Sequence, residues 1–285
     1  MEKQQKAVII GAGVGGLTTA NFLAQKGYKV EVYEKNCHPG GRCGQKIQDG
    51  HRFDLGATIL LMPSLYRQVL SELGIDLEKD LETTPLAPIY KLFFSDGSSF
   101  SFTRNEEQMK TQLEAFEPGS FPKYKAYVKE GYEYFNLAMN DLLGRNFDHL
   151  FEFVNLKSIR LLLKLKTYRN HSGYVREYFD DPRLQKAFTF QNIYVGQNPY
   201  EAPAFFSMLP GAEIAEGALF PKGGMNRIIQ TLEVLADKNG VQIYCKKPVE
   251  KIILNGKKAE GILLEDGTIV HADLVIASAD LPYVY

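Results

Sequence analysis

An α/β domain interrupted by a largely helical α+β domain is the fold class that this 285-residue sequence predicts. Three features predict it. The first 35 residues read strand–helix–strand. Residues from about 105 to 190 carry helical spacing with many tyrosines and phenylalanines. From residue 223 a helix and several strands return, so one domain encloses another.

In chain order, AVIIG (7–11) is a short β-branched run ending in glycine, the pattern of a buried parallel strand. LTTANFLAQKG (17–27) places apolar or small residues at helical spacing and closes on Gly27. KVEVYEK (29–35) alternates and completes a βαβ unit. Asp49-Gly50, Asp96-Gly97 and Asp266-Gly267 mark turns between short strands. Pro63 opens a helix that stops at Gly74, and Asn105 with Gln108 forms a capping box for the next one. A helix is predicted over 223–240, then strands near 241–246, 249–254, 259–264 and 273–277. The domain boundaries this implies are 1–84, 85–213 and 214–285.

Composition narrows the function. A formal charge of −1 gives no reason to expect a nucleic-acid partner. Three cysteines are too few for a disulfide scaffold, and no apolar run approaches the ~18 residues of a spanning helix. The expectation is a cytoplasmic protein.

Chemistry is concentrated near the N-terminus. Gly11, Gly13 and Gly16 form G-x-G-x-x-G between the first strand and the first helix. Such glycines permit the turn, the approach of a pyrophosphate and close helix–strand packing. Glu34 ends the second strand, where a carboxylate accepts hydrogen bonds from a ribose and repels a 2′-phosphate. This is a Rossmann-like nucleotide site that disfavours NADP. Gly40-Gly41-Arg42 follows within eight residues and adds backbone N–H groups and a guanidinium fork, a second phosphate device. That addition favours FAD over a nicotinamide. Cys37 and Cys43 straddle these glycines with five residues between them, which fits neither a redox pair nor a metal loop. No metal site is expected.

At this point the sequence resembles the flavoprotein group of amine oxidases, protoporphyrinogen oxidases and carotenoid desaturases. Later segments resemble the phytoene desaturase-type carotenoid enzymes: GHRFDLGATILLMP (50–63), with Ala57 in place of a usual proline, FTFQNIYVGQNPYEAPAFFSMLPGAE (188–213), FPKGGMNRI (220–228), and a final block in which Ser278 replaces a usual asparagine. The resemblance implies FAD as cofactor, a long apolar polyene as substrate, and transfer of hydride from an allylic C–H to the flavin. It places Gly11, Gly13, Gly16, Gly41 and Arg42 at the pyrophosphate and Glu34 at the ribose, with Ala12, Gly15 and Lys35 in the same cofactor-binding set. It sets Val249 beside the adenine, and Gly56, Ala57 and Thr58 near the flavin ring. No catalytic residue is assigned; Asp54, the nearest acid, reads as a structural acceptor. The open alternatives are another FAD oxidase of this fold, acting on amines or retinoid-like lipids, and a truncated nucleotide-binding fragment without catalysis. The family's final FAD segment is expected to lie beyond Tyr285.

LKSIRLLLKLKTYRN (156–170) holds Lys157, Arg160, Lys164, Lys166 and Arg169 and no acid. Its basic amphipathic pattern predicts either a solvated helix face or a helix lying on the inner face of a membrane.

Overall fold

A computed structural model describes residues 4–143, 149 and 155–284. The chain forms two compact units. One comprises residues 1–60, 65–84 and 219–285; the other comprises 61–64 and 85–218.

The first unit is built on a four-stranded parallel sheet in the order Gln242–Tyr244, Lys29–Tyr33, Lys6–Ile10, Leu274–Ala277. We call Lys6–Ile10 β1, Lys29–Tyr33 β2, and the helix between them, Val14–Gln25, α1. Side chains alternate across a strand, and β1 uses both faces. Ala7 and Ile9 enter a core with Leu17 and Ala20 of α1 and with Ile228, Ile229 and Leu232 of the helix Arg227–Lys238. Val8 packs on the other face with Tyr33, Ile262, Leu264 and Val270. Those last three come from an antiparallel sheet of Val249–Asn255, Lys258–Leu264 and Ile269–His271. Burial on both faces is why the strand reads as one apolar run.

The predicted helix over 223–240 starts later, at Arg227. Gly223 and Gly224 form a turn instead, with the Met225 N–H donating to Asp54 Oδ2 at 3.0 Å. The pair Gln45–Gln48 and His51–Asp54 makes the hairpin around Asp49-Gly50.

The second unit is mostly helical, with a hairpin of Tyr90–Phe93 and Ser99–Phe102. Its long helix Ser120–Ala138 crosses Met208–Glu216 at glycines: a Cβ on Gly211 would lie 2.5 Å from the Gly131 carbonyl carbon. Phe100, Phe102, Tyr127, Phe179 and Phe188 pack edge-on or stacked in its buried centre, an arrangement ring quadrupoles favour. His171 is fully buried there, 2.9 Å from Tyr127 Oη and 3.0 Å from the Asn192 side chain. Half of the expected capping box forms. Asn105 accepts from the Gln108 N–H, but the Asn105 N–H is taken by Thr103 Oγ1. The basic segment is helical only over Leu156–Lys164, because Lys166 turns the chain at positive φ.

Candidate nucleotide site

Three strand ends of the first unit converge on one place. The turn Gly11–Gly13 leaves the carboxyl end of β1, Glu34 follows β2, and Ser278 follows Leu274–Ala277. Strand order reverses about β1 here, the topological position at which open parallel sheets bind ligands.

The turn is held from several sides. Gly11 N–H donates to Tyr33 O, Ser278 N–H donates to Ile10 O, and Gly40 N–H donates to Ala12 O. Glu34 is 5% exposed. Its Oε2 accepts from the Ala12 N–H at 2.8 Å; its Oε1 accepts from Asn36 N–H at 2.9 Å and from Asn36 Nδ2 at 2.7 Å. A carboxylate has about four acceptor positions, so Glu34 fixes the loop and keeps capacity for a hydroxyl donor.

The N–H groups at Gly11, Ala12 and Gly40 are thus committed. Those of Val14, Gly15 and Gly16 are not. They open α1, whose N-cap Gly13 offers no side chain to satisfy them. Twelve residues of helix place the positive end of their dipole at the same point.

Glycine is required at this turn by contact distance. A Cβ on Gly16 would sit 2.0 Å from the Gly11 carbonyl oxygen, and one on Gly41 3.2 Å from Gly13 Cα. The two glycine turns therefore touch backbone to backbone. This leaves a cradle of main-chain donors that suits a pyrophosphate, and the residues present fit a dinucleotide cofactor.

Arg42 extends from the second turn and pairs with Asp280 Oδ2 at 2.8 Å, with both side chains largely exposed. Gly56, Ala57 and Thr58 are exposed, and the first two lie against its backbone: Ala57 N–H donates to Arg42 O, and a Cβ on Gly56 would meet that oxygen at 2.2 Å. Lys35 is exposed just beyond Glu34. Val249 opens its strand two residues after Lys247, whose N–H donates to Glu34 O. The expected positions thus gather around the strand ends. Asn36 and Asp280 belong to the same place; no motif announces Asn36, whereas Asp280 lies two residues after Ser278 in the final resembling block, which assigns it no role.

All three thiols are free. Cys37 is exposed, whereas Cys43 is buried, and burial followed by the Asp54 charge pushes its thiol pKa up. Among the described residues no group of three His, Cys, Asp or Glu side chains could hold a metal ion, and no helix is long and apolar enough to cross a membrane.

The model of the flavin containing amine oxidoreductase family matches residues 14–285. The chain belongs to that family. Its cofactor is FAD. Among relatives, it is 38% identical over 281 residues to the zeta-carotene-forming phytoene desaturase of Myxococcus xanthus, covering 99% of this chain and 54% of the relative. It is 35% identical to the 4,4'-diapophytoene desaturase (4,4'-diaponeurosporene-forming) of Staphylococcus haemolyticus, covering 97% and 55%. An oxidoreductase from Methanosarcina mazei shares the fold with a TM-score of 0.63 at 21% identity, covering 95% of this chain and 58% of that one. The chain spans about half the length of the curated relatives it matches.

Proposed function

We propose that this chain carries the ADP-binding half of an FAD site, and that the protein it belongs to desaturates a long, apolar, phytoene-like polyene. The observation that carries the reading is the 38% identity to a phytoene desaturase over 99% of the chain, so that both units share in it. Bound FAD supplies the hydride acceptor.

The chain's own residues do the holding. Val14, Gly15 and Gly16 donate main-chain N–H groups to the pyrophosphate, with Gly11, Ala12, Gly13 and Gly41 shaping the approach. Arg42 exchanges Asp280 for phosphate oxygens, a charge-assisted contact. Glu34, with Lys35 beside it, meets the adenosine ribose, and the Val249 backbone meets the adenine. Gly56, Ala57 and Thr58 line the flavin end. An apolar polyene offers no polar handle, and the second unit answers with aromatic surface. Expression of the full-length protein with a pathway supplying the polyene should yield pigments with additional conjugated double bonds. Unchanged precursor in cells whose protein is flavin-loaded would overturn the substrate.

The second unit also supports binding at an anionic membrane surface. Leu156, Ile159 and Leu163 are 65%, 44% and 58% exposed along one side of their helix, with Arg160 and Lys164 exposed beside them. The Lys157 side chain lies outside the described residues. Lys166 and Arg169 are paired within the unit, to Glu130 and Glu177, and do not contribute. Each free cation near such a surface contributes ~1 kcal/mol. Co-sedimentation with anionic vesicles should therefore fall when Arg160 and Lys164 are changed to glutamate; a bound fraction unaffected by both that change and high salt rules the surface out.

A further inference from the structure

Two of the free thiols, Cys37 and Cys245, come together where β2 and its parallel neighbour Gln242–Tyr244 end. Pairing of the two chain segments continues past the strands. Glu34 N–H donates to Tyr244 O, Lys247 N–H to Glu34 O and Lys246 N–H to Asn36 O, each at 2.9 Å. The last bond decides the geometry, because it joins the peptide that leads into Cys37 to the peptide that leaves Cys245. With standard backbone dimensions and a near-linear bond, the two Cα atoms stand roughly 4–7 Å apart. A disulfide needs about 4.4–6.8 Å.

A small oxidant can reach this pair. Cys37 is exposed and Cys245 half-buried, whereas Cys43 is buried. Burial, then the charges of Glu34, Glu233 and Cys37, push the Cys245 thiol pKa up. Cys37 is therefore within electrostatic reach of Cys245, and Cys245 is less often a thiolate than an ordinary cysteine. His38 acts on Glu233 nearby, yet no three such side chains among the described residues could hold a metal ion, which leaves thiol chemistry. Both cysteines belong to the first unit, but to pieces of chain that the whole second unit separates in sequence. Between Cys37 and Glu34 lies Asn36, which donates to the Glu34 carboxylate from its main chain and its side chain.

We propose that Cys37 and Cys245 are an oxidative modification site: a peroxide closes them to a reversible disulfide that staples the two distant pieces of the first unit together beside Glu34. The exposed Cys37 thiolate attacks one peroxide oxygen. An S–O bond forms as the O–O bond breaks, and the departing oxygen takes a proton and leaves as water. The Cys245 thiolate then attacks the Cys37 sulfur. The S–S bond forms, the S–O bond breaks, and the hydroxide leaves with a proton as a second water. Two electrons pass from the thiols to the peroxide, and the two thiol protons end in the waters. The segments are already joined main chain to main chain, so closure needs side-chain rotation rather than movement of the strands. A thiol reductant reverses it by exchange. In a reducing compartment such a pair rests as thiols and closes only while oxidant is present.

The test uses flavin-loaded, full-length protein treated with hydrogen peroxide, and two readouts. Peptide mapping without reductant should find the Cys37 and Cys245 peptides joined and lighter by two hydrogens, and dithiothreitol should separate them. Cys43 should remain a thiol. The link closes a loop of roughly two hundred residues, and longer loops gain more from closure, so oxidation should raise the urea midpoint by about 1 M. That rise should be absent in Cys37→Ser and in Cys245→Ser. Where either variant does not fold, the peptide map of the wild type still decides. Cys37 driven to sulfinic acid while Cys245 stays a thiol, or Cys37 joined instead to Cys43 or to a second chain, overturns the proposal. A Cys37–Cys245 link that leaves the midpoint where it was overturns the staple.

Discussion

The two units handle buried polar groups in opposite ways. In the α/β unit the groups that matter are main-chain N–H donors, placed by glycines within a few residues of one another and fixed by one buried acid, Glu34. In the aromatic unit they are side chains drawn from across the sequence: Tyr90, Gln191, Tyr194 and Glu213 in one cluster, and Glu130, Lys166, Tyr174 and Tyr178 in another. A site made of backbone leaves a local signature in sequence, whereas one made of scattered side chains leaves none. The first suits a charged, fixed shape such as a diphosphate. The second tunes individual proton affinities.

The largest test of that contrast compares tight glycines in each unit. Gly16→Ala forces a Cβ to 2.0 Å from a backbone oxygen in the nucleotide turn, and Gly211→Ala forces one to 2.5 Å from a backbone carbon at the helix crossing. Neither backbone can yield cheaply, so each change should cost roughly 3–5 kcal/mol, the upper tail for single substitutions. They differ in readout. Denaturant midpoints should drop in both, but FAD should protect against unfolding far less in Gly16→Ala than in Gly211→Ala. Equal protection would erase the distinction between the units.

Two carboxyls of the aromatic unit give the next effects, with opposite signs in pH. The folded pKa of Glu213 is raised by burial, so between about pH 4.5 and about pH 7 the folded state binds the extra proton, and stability falls as pH rises through that window. At ~1.4 kcal/mol per unit the loss is roughly 3 kcal/mol. Thermal melts of Glu213→Gln should lack it. For Glu130, burial raises the pKa, but hydrogen bonds from Lys166, Tyr134, Tyr174 and Tyr178 outweigh it and bring it down to about 2. Its contribution is present above about pH 4.5 and is lost as pH falls toward about 2. Its side chain is 28% exposed, so after solvent screening the contribution is about 2 kcal/mol. A Glu130→Gln protein should be less stable at pH 7 and lose less on acidification. If both variants share one pH slope, the two clusters are not tuned apart.

The nucleotide turn was legible because its chemistry demands a fixed spacing of Gly11, Gly13 and Gly16 and an acid at the end of β2. The second turn at Gly40–Arg42 was legible for the same reason. Asn36 was not, since an exposed asparagine has many uses; Asp280 lies in the final resembling block, but only the fold shows its pairing with Arg42. Glu213 sits in a helix whose sequence, MLPGAEIAE, shows glutamates alike at 213 and 216. Nothing in the local pattern says that one is sealed among phenols while the other accepts from Ser64 and Tyr132. The basic segment 156–170 shows the limit from the other side. Charge counting gives five cations and no acid, with Lys157, Arg160 and Lys164 on one helical face; the turn at Lys166 and the ion pairs of Lys166 and Arg169 are not legible in it.

The central claim is that the glycine turns, Glu34 and Arg42 form the FAD seat, and calorimetric titration of flavin-free full-length protein tests it most directly. Wild type should bind FAD tightly and NADP far more weakly, because Glu34 repels a 2′-phosphate. Arg42→Ala should lose about 1.5–3 kcal/mol, a ten- to hundredfold weakening, through one charge-assisted contact. Glu34→Ala should weaken binding at least as much, since it frees the Ala12 N–H as well as the ribose acceptor. FAD affinity unchanged in both variants would contradict the account.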